Sequence, residues 1–283
     1  MKPLHWRGGC LPDDRVGIMG ILNVTPDSFF DGGKHQAIED ALRRARVVVE
    51  EGGDILDIGG ESTRPGSAGV SVDEELDRVV PVIRALRQSS SMYPLPISID
   101  TSRAEVAEAA LEAGAEVVND VSGGSREPEI LHVAARHGAG TILMHMRGSP
   151  ATMQDQVDYN DLVADVIAEL QASCAAATAA GIPTSHQAID PGIGFGKSAK
   201  GCLELIARLQ EFEELQRPVL VGASRKSFLG VAFGHQGDDR LVGSLLASGH
   251  SVTAGASIVR VHDVALTRLA VDVAAGIRDA VRR

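Results

Sequence analysis

The sequence predicts an α/β fold, a single (β/α)8 TIM barrel. Eight short apolar runs alternate with eight segments of helical periodicity, and polar residues follow nearly every run. The length of 283 residues suits one large barrel or two average domains. Linkers and low-complexity tracts do not interrupt the alternation, so we predict one domain over residues 1–283. Only 3% of the residues are aromatic, so Val, Ile, Leu and Ala must fill the core, as inside a parallel barrel.

Each predicted strand is short and nearly all apolar, as expected for a strand that is buried on both faces. In chain order the runs are Val16–Leu22, Ile55–Ile58, Ile97–Ile99, Glu116–Val118, Gly140–Met144, Ala188–Ile189, Val219–Val221 and Ser257–Val259. Strands that alternate with helices favour a barrel over an open doubly wound sheet.

The helical segments are recognised by apolar residues at helical spacing. They are Ile38–Glu51, Val72–Leu86, Ala104–Ala113, Glu127–His137, Tyr159–Ala180, Cys202–Leu209, Leu241–Ala254 and Ala265–Val281. Glycines at 52, 114, 138 and 181 follow four of them, which is typical of C-terminal caps. Ser71 and Glu74 have the spacing of a capping box.

Composition limits the possible partners. The net charge is −11, from 38 acidic and 27 basic residues, which argues against nucleic acid as the main partner. No signal-peptide core or span of about 20 uncharged apolar residues is evident, so we expect a cytoplasmic protein with no membrane partner. Cys10, Cys174 and Cys202 lie far apart, so a disulfide framework is not expected.

Polar segments follow the predicted strands, where the active sites of such barrels lie. They are NVTPDSFFDGG (23–33), DIGGESTRPGS (57–67), SIDTSR (98–103), NDVSGG (119–124), MHMRGSP (144–150), IDPGIGFGKS (189–198), GASRKSFLG (222–230) and VRVHD (259–263). A carboxylate, amide or cation at nearly every strand end is hard to explain as turn chemistry alone. We therefore predict that these segments form the site.

Asp100, Asn119 and Asp190 follow the third, fourth and sixth runs. Together they offer acceptors and one amide that also donates, a set that can hold a flat heterocycle with amidine-like N–H donors. Each alone could equally cap a helix or close an Asx turn. The three together favour a binding site.

A second group is cationic. Arg260 and His262 are two residues apart, which places them on the same side of a strand, in the region where this fold usually binds phosphate. Neighbouring strand ends add Ser62, Thr63, Arg64, Arg225 and Lys226. These residues predict a pyrophosphate cradle. The alternative is a set of surface arginines and a core histidine.

Other motifs fail or are weak. Gly196-Lys197-Ser198 resembles the end of a P-loop, but Pro191 stands at its first glycine position. GIGFG (192–196) lacks the G-x-G-x-x-G spacing of a dinucleotide site, and zinc-spaced ligands and the serine-hydrolase motif G-x-S-x-G are lacking. Kinase, dehydrogenase and serine-hydrolase functions are therefore disfavoured. The amide oxygen of Asn23 could ligate a magnesium ion that takes its other ligands from a substrate.

In this order and spacing, the polar segments resemble those of the dihydropteroate synthase family, from about Gly17 to the last helix. TRPG, SRKS and RVHD are the most specific matches. The resemblance implies an Mg2+-dependent homodimer that condenses a pterin pyrophosphate with p-aminobenzoate. The helical segment Leu241–Ala254 could serve the dimer interface or simply pack on the barrel.

The resemblance also implies residue roles. Asn23 is similar to a magnesium-linked asparagine, and Asp100, Asn119 and Asp190 to pterin ligands. The pyrophosphate contacts implied are Thr63, Arg260 and His262. The p-aminobenzoate contacts implied are Lys226, Ser227 and Phe195, with Arg64 and Pro65 on a closing loop, as are Thr25, Pro26, Asp27 and Ser28. The catalytic residues implied are Asp100, Lys226, Arg260 and His262.

Three positions depart from the family pattern, namely Phe30, Cys202 and Ala223. Cys202 stands where an asparagine commonly begins the sixth helix. Two alternatives stay open. One is another pterin-binding barrel, such as a methyltetrahydrofolate–corrinoid methyltransferase, which has no use for a pyrophosphate clamp. The other is a catalytically inactive paralogue that binds pterin.

Overall fold

The computed structural model describes residues 2–24, 33–62, 69–234 and 239–281. All eight predicted strands are present and form a nearly closed parallel barrel, which confirms the predicted fold class. The barrel strands are β1 Gly17–Asn23, β2 Ile55–Gly59, β3 Ile97–Asp100, β4 Val117–Asp120, β5 Gly140–Met144, β6 Gln187–Asp190, β7 Leu220–Val221 and β8 Ile258–Val261.

The hydrogen-bonded order is β6-β5-β4-β3-β2-β1-β8-β7, and a parallel bridge between Ile189 and Val219 links β6 to the chain just before β7. Several strands run further than the apolar runs predicted. Asn23, Asp100 and Asp190 are each the last residue of a strand, and Asn119 lies inside β4. The sheet itself therefore fixes the backbone of these polar residues.

The described residues form nine α-helices. They are α1 Gly33–Glu50, α2 Val72–Gln88, α3 Ala104–Glu112, α4 Glu129–His137, α5 Leu162–Ala179, α6 Ala199–Ala207, α7 Ser227–Phe233, α8 Asp239–Thr253 and α9 Val264–Val281. Eight match predicted helices, and α7 is an addition. The predicted start of the sixth helix was wrong. Ser198 caps α6, its Oγ accepting from the Gly201 N–H at 3.1 Å, so Cys202 lies inside the helix.

One helix bears on our expectation that the chain has no membrane span. By length and composition alone, α5 is apolar enough to cross a membrane. Its buried residues include Val163, Val166 and Leu170, which belong to the core between the barrel and its helices. Packing on the barrel therefore accounts for the apolar composition of this helix.

The two ends of the barrel differ. An antiparallel hairpin of His5–Trp6 and Gly9–Cys10 precedes β1. Leu4 and Leu11, which flank it, pack against the barrel interior, where seven of the eight strands, all except β3, each bury one apolar side chain: Met19, Ile55, Val117, Ile142, Ala188, Leu220 and Ile258. This cluster fills the inside of the barrel and leaves the carboxyl ends of the strands for polar residues.

Candidate functional site

Arg260 on β8 lies between two carboxylates at the carboxyl end of the barrel. Its Nε donates to Asp57 Oδ2 at 2.6 Å, and its Nη2 donates to Asp100 Oδ2 at 2.6 Å. Asp57 lies on β2 and is fully buried. Asp100 is the last residue of the neighbouring β3, and only 7% of its surface is exposed. A charge-assisted pair of this kind is strong and directional. One guanidinium is thus shared by two buried acids.

Asn119 completes this cluster. Asp100 and Asn119 are register partners on β3 and β4, and Asn119 Nδ2 donates to Asp57 Oδ2 at 3.2 Å. The second oxygens, Asp57 Oδ1 and Asp100 Oδ1, are buried and have no hydrogen-bond partner among the described residues. Buried acceptors are normally satisfied. These oxygens are therefore available to a ligand with N–H donors.

The protonation of Asp100 reflects this environment. Burial raises its pKa to about 7, although Arg260 lowers it, and nearby Asp57 raises it further. Asp190 is also buried, and its burial raises its pKa against the lowering effect of Lys226. Acids with raised pKa values at a barrel mouth are typical of functional sites.

The loop after β6 forms the other side of the site. Asp190 Oδ1 accepts from the Gly192 N–H at 2.7 Å, and Lys226 Nζ donates to the carbonyl of Ile193. Gly192 has φ +70°, and a Cβ there would lie 2.0 Å from the His145 carbonyl oxygen. Only glycine therefore fits at this point of the loop.

Lys226 faces an aromatic ring in this loop. Its Nζ lies 4.5 Å from the ring centroid of Phe195, a cation–π distance. Desolvation lowers the pKa of Lys226 to about 8, while Asp190 raises it. Ser227, the next residue, is exposed and begins α7. The three predicted p-aminobenzoate contacts therefore lie close together in the chain or in space.

The residues predicted to form the pyrophosphate cradle have different hydrogen-bond partners in the structure. His262 follows β8, and its Nδ1 lies 3.1 Å from Ser224 Oγ. Arg225 makes a two-point contact with Asp263, through Nε and Nη2 at 2.8 Å each. Arg260, in contrast, points Nε and Nη2 at Asp57 and Asp100. Arg260 is therefore hydrogen-bonded within the group of predicted heterocycle ligands, whereas Arg225 is paired with Asp263.

Asn23 is the last residue of β1 and is half-buried. The described residues contain no group of three or more His, Cys, Asp or Glu side chains that could hold a metal. A magnesium ion at Asn23 would then need oxygens from a bound phosphate and water, which is how Mg2+ is often held. The residues present fit an ion of that kind.

A cavity of about 410 Å³ opens beside Asp100. Its wall includes Thr101, Ser122, Arg126 and Met146. Its volume lies within the usual range for small-molecule sites, roughly 300–1,000 Å³. Asp100 therefore borders a space that can admit a ligand.

Some predicted residues fall outside the described part of the chain. These are Thr63, Arg64 and Pro65, and Thr25, Pro26, Asp27, Ser28 and Phe30. Their predicted roles stay predictions.

Asp57 begins the polar segment DIGGESTRPGS, which we predicted to form part of the site, but we assigned it no role of its own. It lies inside the apolar run ILDIG, and an acid buried in such a strand needs a partner. This requirement could have identified it from the sequence.

Comparison with known proteins adds independent evidence. The family described as "Pterin binding enzyme" matches residues 19–262. The chain is 48% identical to the dihydropteroate synthase of Synechocystis sp. over 88% of this chain and 86% of that protein. It is 45% identical to the dihydropteroate synthase of Escherichia coli K12, over 92% and 91% of the two chains.

Solved structures agree. The dihydropteroate synthase of Yersinia pestis in complex with a sulfonamide drug has a TM-score of 0.90 at 42% identity, covering 98% of this chain and 99% of that one. The Xanthomonas albilineans enzyme with 4-aminobenzoic acid has a TM-score of 0.89 at 44% identity, covering 98% of both. The Burkholderia cenocepacia enzyme with 7,8-dihydropteroate has a TM-score of 0.87 at 41% identity, covering 99% and 98%.

Proposed function

This chain belongs to the dihydropteroate synthase family, and we propose that its carboxylate–arginine cluster is where it performs the reaction of that family. It is a transferase of folate biosynthesis. It condenses 6-hydroxymethyl-7,8-dihydropterin pyrophosphate with p-aminobenzoate and gives 7,8-dihydropteroate and pyrophosphate.

The observation that carries the proposal is the cluster of Arg260, Asp57, Asp100 and Asn119. It supplies buried carboxylate oxygens that have no hydrogen-bond partner among the described residues, and one of its members, Asp100, lines a cavity. A pterin ring presents neighbouring N–H donors, which such oxygens can accept. Asp100, Asn119 and Asp190 are the proposed pterin ligands, and Asp57 holds both Arg260 and Asn119 in place.

The second substrate is proposed to lie against the loop after β6. Phe195 would pack on the ring of p-aminobenzoate, and Lys226 would lie between the two substrates. Ser227 would donate to the benzoate carboxylate. The contact between Lys226 and Phe195 supports this arrangement, because it brings the cation and the aromatic wall together before any ligand binds.

The pyrophosphate is proposed to lie against Arg260 and His262, with Thr63 contributing from the loop after β2 and Arg64 and Pro65 closing over the second substrate. A guanidinium has five N–H donors. The bonds to Asp57 and Asp100 engage two of the Arg260 nitrogens, Nε and Nη2, so the remaining donors of Arg260 can face phosphate oxygens. Asn23 is the proposed side-chain ligand of Mg2+, which would supply charge neutralisation for the departing pyrophosphate.

We propose that breakage of the C–O bond precedes or accompanies attack by the amine of p-aminobenzoate. Arg260 and His262 stabilise the negative charge that grows on the pyrophosphate. Asp100 stabilises the electron-poor pterin methylene through the ring. The reaction needs no protein nucleophile, which agrees with the lack of a serine or cysteine motif in the sequence.

A homodimer is proposed through one apolar face of α8 and α9. Its exposed residues are Val242, Leu246, Leu266, Leu269, Val273 and Ile277. They recur at three- or four-residue spacing along each helix, and an exposed apolar patch of this kind usually marks an interaction surface. The proposed occupant is the same face of a second copy.

We also propose that the protein works in the cytoplasm on small molecules, without nucleic-acid or membrane partners. Its three cysteines are all free, which suits a reducing compartment. Its acidic net charge of −11 disfavours binding to phosphate polymers.

A turnover assay tests the function. The purified chain receives the pterin pyrophosphate, p-aminobenzoate and Mg2+, and dihydropteroate and pyrophosphate are both quantified. Equal release of both products, lost when p-aminobenzoate is omitted, is the expected result. Folded protein that binds the pterin pyrophosphate but releases neither product would instead be an inactive paralogue.

A further inference from the structure

Lys197 is buried in the loop after β6, where only 3% of its surface is exposed. Its Nζ donates to the carbonyl of Phe195 at 2.9 Å and to the carbonyl of His145 at 3.1 Å. It also lies 2.7 Å from His145 Nδ1. An ammonium has three N–H donors. All three therefore have an acceptor, and two of these acceptors belong to the backbone.

These bonds fix the form of the histidine. Because Lys197 donates to Nδ1, the proton of the His145 ring lies on Nε2, which is 2.9 Å from Glu169 Oε2. Burial and the neighbouring Lys197 ammonium lower the pKa of His145 to about 4, so the ring is neutral near pH 7. Glu169 also accepts from Arg147 Nε at 3.0 Å. Arg147 packs over Tyr159, 3.9 Å from its ring centroid.

Lys197 is one of several side chains that donate to the backbone of the loop after β6. Four consecutive carbonyls, those of Ile193, Gly194, Phe195 and Gly196, each accept from a side chain. The donors are Lys226, Gln154 at 3.2 Å, Lys197 at 2.9 Å and Tyr159 at 2.8 Å, in that order. The conformation of this loop is therefore set by side chains from several elements, and Lys197 is the donor deepest in the protein.

We propose that Lys197 is a positioning residue for the second substrate: its buried ammonium, supported by His145 and Glu169, sets the backbone that holds the Phe195 ring against Lys226. This inference rests on the proposed function, since it concerns the p-aminobenzoate side of that site. Lys197 does not touch the substrate in this account. It acts through the carbonyl of Phe195.

The electrostatic cost of burying Lys197 indicates a specific role rather than simple filling of space in the protein interior. Moving an ammonium out of water is costly, and an apolar side chain of similar size often stabilises a fold as well or better. Burial lowers the pKa of Lys197 to about 7, while the nearby Asp190 raises it. Other charged or titratable groups near it include Cys202, Lys226, Glu169 and His145.

The test compares Lys197→Met with Lys200→Met. Lys200 is exposed in the first turn of α6, so its replacement removes the same charge from the same segment without touching the loop. We would measure KM for p-aminobenzoate, kcat, and calorimetric Kd values for 6-hydroxymethylpterin and for 7,8-dihydropteroate. The last two ligands differ in the p-aminobenzoate part, so their ratio reports on that subsite without turnover.

In Lys197→Met we expect KM for p-aminobenzoate to rise about tenfold or more while pterin affinity stays within about twofold. Dihydropteroate should lose affinity by a similar factor, and Lys200→Met should match the unchanged chain. An unchanged KM and an unchanged ratio would overturn the proposal. Parallel losses in pterin binding, kcat and KM would also overturn it, because they would indicate a general structural role.

Tyr159→Phe serves if Lys197→Met does not fold. Tyr159 is half-buried, and the substitution removes only the hydroxyl that bonds to Gly196. We expect the same selective rise in KM, about threefold. An unchanged KM in Tyr159→Phe would then count against the proposal. We would first measure dihydropteroate binding by the unchanged chain. Failure of that chain to bind would contradict the proposed function itself, independently of the variants.

Discussion

At the residue scale, the proposed chemistry depends on two carboxylates that share one guanidinium. Arg260 contacts both Asp57 and Asp100, so the cluster has an excess of negative charge once Asp100 is ionised. A bound pterin would add N–H donors to the unmatched oxygens. Hydrogen bonds to a carboxylate stabilise its ionised form. Ligand binding should therefore lower the pKa of Asp100 from its unliganded value of about 7.

This change predicts proton release on binding. Near pH 6.5 a large share of Asp100 is protonated in the free protein, and binding of 6-hydroxymethylpterin should expel that proton. The release should fade as the pH rises above 7, where Asp100 is already ionised. Calorimetry in two buffers of different ionisation enthalpy measures the number of protons released.

Asp100→Asn is the control for this measurement, since an amide cannot titrate. It should release fewer protons at pH 6.5 than the unchanged chain. Some release can persist from Asp190, because burial raises its pKa too. Equal release by both proteins would mean that Asp100 does not titrate in this range.

The sequence predicted which polar residues lie at the end of the barrel better than it predicted which of them pair with each other. Asp100, Asn119 and Asp190 were expected to converge because the carboxyl ends of parallel strands meet at one end of a barrel. The position of Arg260 between Asp57 and Asp100 depends on the register of β8 against β1 and β2, which apolar runs alone do not define. Spacing along the chain could not show which acid would hold the arginine.

At the element scale, the apolar runs and helices that alternate along the chain were predictable, even where the strand is as short as Leu220–Val221, and the short segments outside this alternation were not. The eight barrel strands and eight helices follow from their hydrophobic patterns. α7 is only seven residues long, and the N-terminal strands have two residues each. Segments so short contain less than two turns of a helix or too few residues to alternate, so periodicity cannot reveal them.

The proposed dimer face is tested with charge substitutions. Leu246 on α8 and Leu269 on α9 are about 70% and 67% exposed, so replacing them should not disturb the core. We expect Leu246→Glu combined with Leu269→Glu to convert a dimer into a monomer, because facing copies would bury unpaired charges. Sedimentation velocity measures the change.

Met92→Glu is the matched control, because Met92 is an exposed apolar residue of the segment after α2 and lies outside the proposed face. It should leave the assembly unaltered. A double variant that still sediments as the dimer would place the interface elsewhere.

At the scale of the whole molecule, the two ends of the barrel have separate tasks. At the amino end, Asp54 precedes β2 and accepts from the Ile18 N–H at 2.8 Å. It also pairs with Arg268 on α9 and with Arg15. This buried carboxylate thus links β1 and β2 to the last helix. Residues at this end of a barrel contribute to stability and not to catalysis.

Asp54→Asn should therefore lower stability and spare function. Arg268 has only 14% of its side chain exposed, so leaving it partly unpaired costs about 3 kcal/mol. For a chain of this size that corresponds to a fall in Tm of about 5 °C. KM values and the pterin Kd, measured below the transition, should stay as they are.

Asp272→Asn provides the comparison. Asp272 also pairs with Arg268, at 3.4 Å, but its side chain is 58% exposed. A surface pair of this kind contributes about 0–1 kcal/mol. Similar losses of Tm in both variants would show that Asp54 does not have the stabilising role described.

The most direct test of the central claim is turnover of Asp100→Asn, with binding of the pterin pyrophosphate measured on the same samples. Asparagine keeps the size and one acceptor oxygen but removes the charge that should stabilise the electron-poor methylene. We expect the substrate still to bind, within about tenfold, while kcat falls by about 10²–10³-fold. Full turnover by Asp100→Asn would rule out the proposed role of Asp100.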